Sequence, residues 1–141
     1  MKRERPQNFE QWLASIPTYM KRDPVWKSIF YQKAMFLYEL FWCDCEELMT
    51  DLRGRSIARQ ATDSCGSISA NMEEGLGRGF GRDYARFLTI ALGSAKETRG
   101  WYARFRFLLA PQVVEHRIQL CDEIIGMLLP VIKDQRRGKG S

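Results

Sequence analysis

The chain has 141 residues, of which 45% are hydrophobic and 28% are charged. That length and balance are typical of one folded domain and exclude an intrinsically disordered chain. The net charge of +5 is modest and does not by itself identify a nucleic-acid-binding protein. No run of about 18 uncharged apolar residues occurs and no apolar signal core follows Met1, so we expect a cytoplasmic protein without a membrane partner.

Residues able to carry chemistry are few. The single histidine, His116, makes histidine-based catalysis and a multi-histidine metal site difficult to build. The cysteines form no C-x-x-C pair, and Cys43 and Cys45 would point about 200° apart on a helix. Together with Cys65 and Cys121, they are expected to be reduced thiols packed as small hydrophobic side chains. We therefore expect no metal and no cofactor.

The first 22 residues predict a short helical flap in front of the main domain. Asn8 is a typical N-cap, and Gln11 three residues later completes a capping-box pattern. One face of the helix that follows carries the apolar residues Phe9, Trp12, Leu13 and Ile16. Pro17 ends this helix, which we expect to lie over the main body.

A first long helix is predicted to begin at Asp23 and Pro24, an N-cap followed by proline, and to run to about residue 51. Residues 34–43 are apolar nearly all the way round this helix. Because only one stripe faces the core of a small bundle, the remaining apolar surface needs either the flap or a neighbouring subunit. We favour a neighbouring subunit and predict that the interface contains Phe36, Tyr38, Phe41 and Trp42.

A second helix is predicted after Gly54, which we expect to separate it from the first. Its narrow apolar stripe consists of Ile57, Ala61, Cys65, Ile68 and Met72. The glycine-rich run at 75–81 predicts a connection, with Gly75 or Gly77 as a left-handed cap. The run lacks the spacing and context of a nucleotide-binding loop. Free N–H groups at the start of the next helix, beside Arg78 and Arg82, remain a candidate anion site.

Two further long helices follow. The third is predicted over residues 82–109, with one apolar face that consists of Tyr84, Phe87, Leu88, Ala91, Ala95, Thr98, Tyr102, Phe105 and Leu109. Pro111 can open the fourth helix, and Pro130 is expected to kink or fray its last turns. Residues 136–141 are expected to form a flexible basic tail. The sequence therefore predicts an all-α fold, an antiparallel up-down four-helix bundle over residues 23–135 with the short N-terminal helical flap.

The third helix carries the main candidate site. Residues 53–106 hold 10 basic and 5 acidic side chains, residues 1–52 hold 7 and 8, and residues 107–141 hold 5 and 4. The excess is mostly arginine, whose planar fork of donors suits phosphates and carboxylates. On a helix with about 100° per residue, Arg82, Arg86, Lys96 and Arg104 share one face that is roughly 33 Å long. Such a face can contact nucleic acid, hold a partner protein or simply be solvated.

Adjacent carboxylates do not form a convincing catalytic pair. Glu46 and Glu47, Glu73 and Glu74, and Asp122 and Glu123 are neighbours that would point about 100° apart on a helix. A di-metal site in a helical bundle needs E-x-x-H motifs, and the sequence has none. No catalytic residue is therefore predicted.

Two segments resemble a known family. Residues 69–79 read SANMEEGLGRG and residues 85–97 read ARFLTIALGSAKE. These segments resemble the 23S rRNA-intervening-sequence proteins, a four-helix-bundle family, and the likeness extends in pattern over residues 24–135. Met72 and Glu73 depart from it, since the family favours isoleucine and alanine there. The resemblance implies a bacterial bundle that assembles into a ring-like homo-oligomer, expected to be a pentamer. It also implies kinship with the accessory bundles of diversity-generating retroelements.

These observations favour a non-enzymatic homo-oligomer that binds structured RNA or DNA, with Arg78, Arg82, Arg86, Lys96 and Arg104 as the contact residues. It would serve as an accessory factor to a nucleic-acid-processing enzyme. The competing hypothesis is a scaffold that docks a protein, such as a reverse transcriptase, without contacting nucleic acid itself. A third, less favoured hypothesis is an enzyme that uses Glu73 or Glu74.

Overall fold

The computed structural model describes residues 4–6 and 8–138. Within those residues the fold consists of helices and has no strand, which confirms the all-α class. The α-helices are α1 (Phe9–Ser15), α2 (Ile29–Leu48), α3 (Leu52–Gly77), α4 (Arg82–Arg104) and α5 (Pro111–Arg136). Short 3-10 helices at Thr18–Lys21 and Pro24–Lys27 precede α2, and one at Phe105–Phe107 follows α4. No helix in the described residues is both long and apolar enough to span a membrane.

The long helices share one hydrophobic core. Helix α3 packs along α4, α4 packs along α5, and α2 lies against both α3 and α5. Small and hydroxyl-bearing residues line the boundary between α3 and α4, where the Ser64 and Thr98 hydroxyl oxygens are 3.0 Å apart. The Ser94 hydroxyl donates to the Ser67 hydroxyl, also at 3.0 Å. These hydrogen bonds satisfy polar groups at a close helix contact that bulky side chains would prevent.

Several predicted helix ends are confirmed. The Asn8 side chain accepts a hydrogen bond from the Gln11 N–H at 2.8 Å, so Asn8 caps α1. Pro111 opens α5. The predicted start of the first long helix is wrong. The Asp23 carboxylate accepts a hydrogen bond from the Val25 N–H at 2.9 Å and caps the 3-10 helix, and α2 begins only at Ile29. Helix α5 continues past Pro130 to Arg136, and residues 139–141 of the predicted tail lie outside the described residues.

The predicted roles of three glycines are wrong. Gly54 does not separate two helices but lies in the first turn of α3, which Asp51 caps through the N–H groups of Arg53 and Gly54. Gly75 and Gly77 belong to α3 and neither is a left-handed cap. The positive φ angles of this connection are instead at Gly79 (95°) and Gly81 (102°). The turn thus falls later in the glycine run than the sequence pattern indicated.

Replacing Gly54 with alanine is expected to lower the free energy of unfolding by about 1–3 kcal/mol. A Cβ atom there would overlap the Leu48 carbonyl oxygen and stand 2.8 Å from Leu108 Cδ1. The backbone carbonyl cannot move aside as a flexible side chain can. The matched control is Gly126→Ala on α5, where nothing lies within 4 Å and alanine should stabilise the helix by about 0.5–1 kcal/mol. Urea unfolding of both variants measures the difference, and equal stabilisation by both would contradict the predicted clash.

The N-terminal flap covers part of the apolar surface of α2. The Trp12 and Phe36 rings lie 5.3 Å apart, and the Phe41 and Tyr102 rings lie 6.2 Å apart. Phe36 and Phe41 are therefore buried within this chain, so the structure does not leave them on a surface that a second subunit can reach. Tyr38 is half-buried and Trp42 is 57% exposed. The predicted oligomer interface now rests on these two side chains.

A buried charge cluster ties α2, α4 and α5 together. The Asp44 carboxylate is fully buried and accepts two hydrogen bonds from Arg117, from Nε at 2.8 Å and from Nη2 at 3.1 Å. It also accepts from the Tyr102 hydroxyl at 2.7 Å and from Arg5 Nε at 3.0 Å. We call these four residues the Asp44 cluster. Burial, followed by the Asp44 charge, raises the pKa of Tyr102 well above its ordinary value.

His116 lies at the edge of the Asp44 cluster. Its Nδ1 is 2.7 Å from Arg117 Nη1. A guanidinium has only donors, so Nδ1 accepts this hydrogen bond from Arg117 and the ring is neutral. Burial and then the Arg117 charge lower the pKa of His116, in agreement with that geometry.

Three of the cysteines are fully buried thiols, and Cys45 is partly buried. Burial raises the pKa of Cys45 to about 11 and that of Cys121 to about 12. Both groups are therefore thiols and not thiolates near neutral pH. No group of three or more metal-ligating side chains occurs within residues 4–6 and 8–138.

Candidate nucleic-acid interface

The outer face of α4 carries most of the predicted contact residues. The helix buries Tyr84, Leu88 and Ala95 in the core, so residues on the opposite side of the helix are in solvent. Four exposed cations of α4 lie there, and Arg78, the C-cap residue of α3, is exposed beside them. We call these five residues the basic strip: Arg78, Arg82, Arg86, Lys96 and Arg104. The structure thus brings the predicted residues to one surface.

Two members of the basic strip are partly neutralised. Arg86 Nη2 is 2.9 Å from an Asp83 carboxylate oxygen. Arg78 pairs with Glu74 at 3.3 Å and lies 3.9 Å from Asp83. By contrast, no ion pair holds Arg82, Lys96 or Arg104 anywhere in the described part of the chain. These three cations are therefore free to pair with a ligand.

Aromatic rings support several of the arginines. The guanidinium of Arg86 lies 4.5 Å from the centre of the Phe87 ring, and that of Arg78 lies 5.0 Å from the same centre. Arg104 lies 5.2 Å from the centre of the Trp101 ring. Such contacts restrict the rotamers of a long side chain, so less conformational entropy is lost when a ligand binds.

The two glycines on this face have different surroundings. A Cβ atom at Gly93 would meet nothing within 4 Å, so this part of the helix leaves room for close approach. A Cβ atom at Gly100 would instead stand 3.0 Å from Arg104 Nη1, so this glycine accommodates the arginine. Glu97 is also exposed and interrupts the strip beside Lys96. The strip is therefore not uniformly positive along α4.

Sequence reasoning missed one cation of this surface. It placed Arg136 in the tail, whereas the structure places it in the last turn of α5, where its Nη2 donates to Thr89 Oγ1 of α4 at 3.3 Å. The preceding residue, Gln135, is buried and its side chain accepts from the Gly81 N–H at 2.7 Å. The helical spacing that continues from Ile132 to Gln135 was the available signal that the last turn of α5 includes Arg136.

Glu73 and Glu74, the carboxylates of the less favoured enzyme hypothesis, contact different partners. Glu73 accepts a hydrogen bond from the Tyr31 hydroxyl at 2.6 Å. Burial and then this hydrogen bond raise the pKa of Tyr31 above its ordinary value. Glu74 pairs with Arg78. The two side chains thus point to different partners and do not converge on a shared site.

Comparison with known proteins gives one match. The model of a family described as 23S rRNA-intervening sequence protein matches residues 27–129. The chain belongs to this family. Searches of curated proteins and of solved structures found no significant match.

The matched region of this 23S rRNA-intervening sequence family member contains the whole basic strip. It includes α2, α3, α4 and most of α5, whereas the flap helix α1 and Arg136 lie outside it. The Asp44 cluster lies inside the matched region except for Arg5. The candidate interface is therefore formed mostly by elements that belong to the family's common part.

Proposed function

We propose that the chain is a non-enzymatic subunit of a homo-oligomer that binds structured RNA or DNA through the basic strip. In this proposal the long helices form an antiparallel up-down bundle, and the assembly is an accessory factor to a nucleic-acid-processing enzyme. Membership of a family named after an rRNA intervening sequence is in keeping with a nucleic-acid-related role. Because arginine and lysine contact phosphates regardless of base identity, recognition would depend on backbone shape and charge.

The observation that carries this proposal is the presence of Arg82, Lys96 and Arg104 on one exposed helix face without carboxylate partners in the described residues. Cations that already pair with carboxylates gain little from a phosphate, because one ion pair only replaces another. Unpaired cations release counterions from the nucleic acid when they bind, which favours association. The strip extends over roughly 33 Å, comparable to one helical turn of duplex DNA.

Oligomerisation would multiply this modest charge. Trp42 is 57% exposed, and it borders a shallow apolar depression that includes Tyr38, Met20 and Met35. An exposed apolar surface of this kind favours contact with another protein surface, here a second subunit. Several copies of the basic strip in one assembly would bind one nucleic acid with higher avidity than a single copy. A pentamer is the assembly we expect.

The second candidate function is a protein-docking scaffold without direct nucleic-acid binding. The surface formed by exposed Trp42 and half-buried Tyr38 favours this function, since it fits a partner protein as well as a second subunit. A reverse transcriptase is the partner class we propose for this alternative. In that case the basic strip would contact acidic side chains or remain solvated.

A salt titration tests the proposal. Fluorescence anisotropy with a structured RNA and a duplex DNA should give an affinity that falls by roughly fortyfold between about 50 and about 200 mM salt, as expected for phosphate contacts by the three unpaired cations. The slope of log affinity against log salt then reports how many cations engage phosphates. The absence of binding to both probes at about 50 mM salt would contradict the proposal and favour the protein scaffold.

A further inference from the structure

An open cavity lies between α4 and α5 at the end of the basic strip that contains Arg82 and Arg86. Its volume is about 530 Å³, and it is largely open to solvent. Three guanidinium-bearing residues line it, Arg82 and Arg86 from α4 and Arg136 from α5. Thr89 and the apolar residues Ala85 and Ile90 complete the lining.

The charges around this cavity favour a doubly charged anion. Arg86 is paired with Asp83 at 2.9 Å, so these two residues together contribute no net charge. Arg82 and Arg136 have no ion pair within residues 4–6 and 8–138, and Arg136 is held toward the cavity by its hydrogen bond to Thr89. Two uncompensated positive charges therefore face one cavity.

We infer that this cavity binds a phosphate monoester at the end of a nucleic-acid strand. A terminal phosphate carries a charge between about −1.5 and −2 and presents three acceptor oxygens, whereas an internal phosphodiester carries a single charge. Arg82 and Arg136 have no carboxylate partner within the described residues, and a guanidinium can donate two parallel hydrogen bonds to phosphate oxygens. Ile90, which is 43% exposed, offers an apolar surface to the adjoining sugar. The inference rests on the proposed function.

Three forms of one RNA hairpin test the inference: one with a 5′-phosphate, one with a 3′-phosphate and one with hydroxyl groups at both ends. Wild-type protein should bind one of the phosphorylated forms on the order of tenfold more tightly than the hydroxyl form. Arg136→Gln should abolish that preference. The matched control is Lys133→Gln, which removes one positive charge from the same exposed turn of α5 but does not line the cavity.

The outcomes separate the two proposals. Salt-sensitive binding with equal affinity for all three RNAs would overturn the terminal-phosphate site and leave the basic strip supported. A preference that persists in Arg136→Gln, or is lost equally in Lys133→Gln, would also overturn the assignment. No binding to any of the three RNAs would overturn both the site and the proposed function.

Discussion

Replacing Asp44 with alanine is expected to lower the free energy of unfolding by about 3–5 kcal/mol. The Asp44 carboxylate is fully buried and is the ion-pair partner of Arg117, which is itself nearly buried. Alanine would leave the Arg117 charge and the Tyr102 hydroxyl in the core without their acceptor. An unpaired buried charge is costly because no water replaces the lost partner. Urea unfolding monitored by circular dichroism measures the change.

Glu47→Ala is the control for Asp44→Ala. Glu47 pairs with Arg5 at 2.8 Å but lies near the surface, where ion pairs contribute about 0–1 kcal/mol. A third variant separates charge from packing: Asp44→Leu combined with Arg117→Met and Tyr102→Phe removes every buried polar member of the cluster. It should recover most of the stability that Asp44→Ala loses. If Asp44→Ala is no more destabilising than Glu47→Ala, the cluster does not stabilise the fold as described.

Reversing the charges of Arg82, Arg86 and Arg104 to glutamate is expected to abolish nucleic-acid binding at about 50 mM salt. Each reversal adds a repulsive charge, and the loss of the two unpaired cations, Arg82 and Arg104, alone flattens the slope of log affinity against log salt by about 1.8. All three side chains are exposed, so the fold should be retained. Anisotropy titrations of the variant, with circular dichroism to establish that it is folded, measure the effect.

A second triple variant tests whether position matters beyond net charge. Arg53, Arg55 and Arg59 are exposed on α3, outside the basic strip, and their reversal to glutamate makes the same change in net charge. This control should retain most of the affinity, with a modest loss from long-range repulsion. An equal loss in both triple variants would show that overall charge, and not the basic strip, determines binding.

The features that were predicted correctly from the sequence depend on helical periodicity and on local capping residues. The buried face of α4, from Tyr84 to Tyr102, follows directly from helical spacing, and Asn8 and Pro111 act at the helix ends where they were expected. The strip of cations on the opposite face of α4 follows from the same spacing. Such features depend on residues within a few turns of one another, so a single sequence contains the necessary information.

Features that depend on contacts between distant helices were not predicted. Tyr102 is 58 residues and Arg117 is 73 residues away from Asp44 along the chain, and no local sequence pattern marks them as partners. Gly54 looks like a helix break in the sequence, whereas it is required by the close approach of the Leu48 carbonyl. Arg136 lies one residue beyond the predicted end of the bundle, and it joins Arg82 because the last turn of α5 lies beside α4.

The Asp44 cluster also selects one axial alignment of the helices. The surrounding core consists of aliphatic and aromatic side chains, and the apolar contacts of residues such as Leu37, Leu40 and Leu48 of α2 are not directional. They therefore oppose a slide of α2 by one turn, about 5.4 Å, less strictly than paired charges do. The same slide would carry Asp44 past Arg117 and leave both charges buried and unpaired. Apolar contacts therefore make the helices associate, and this charged cluster makes one register much more favourable than the others.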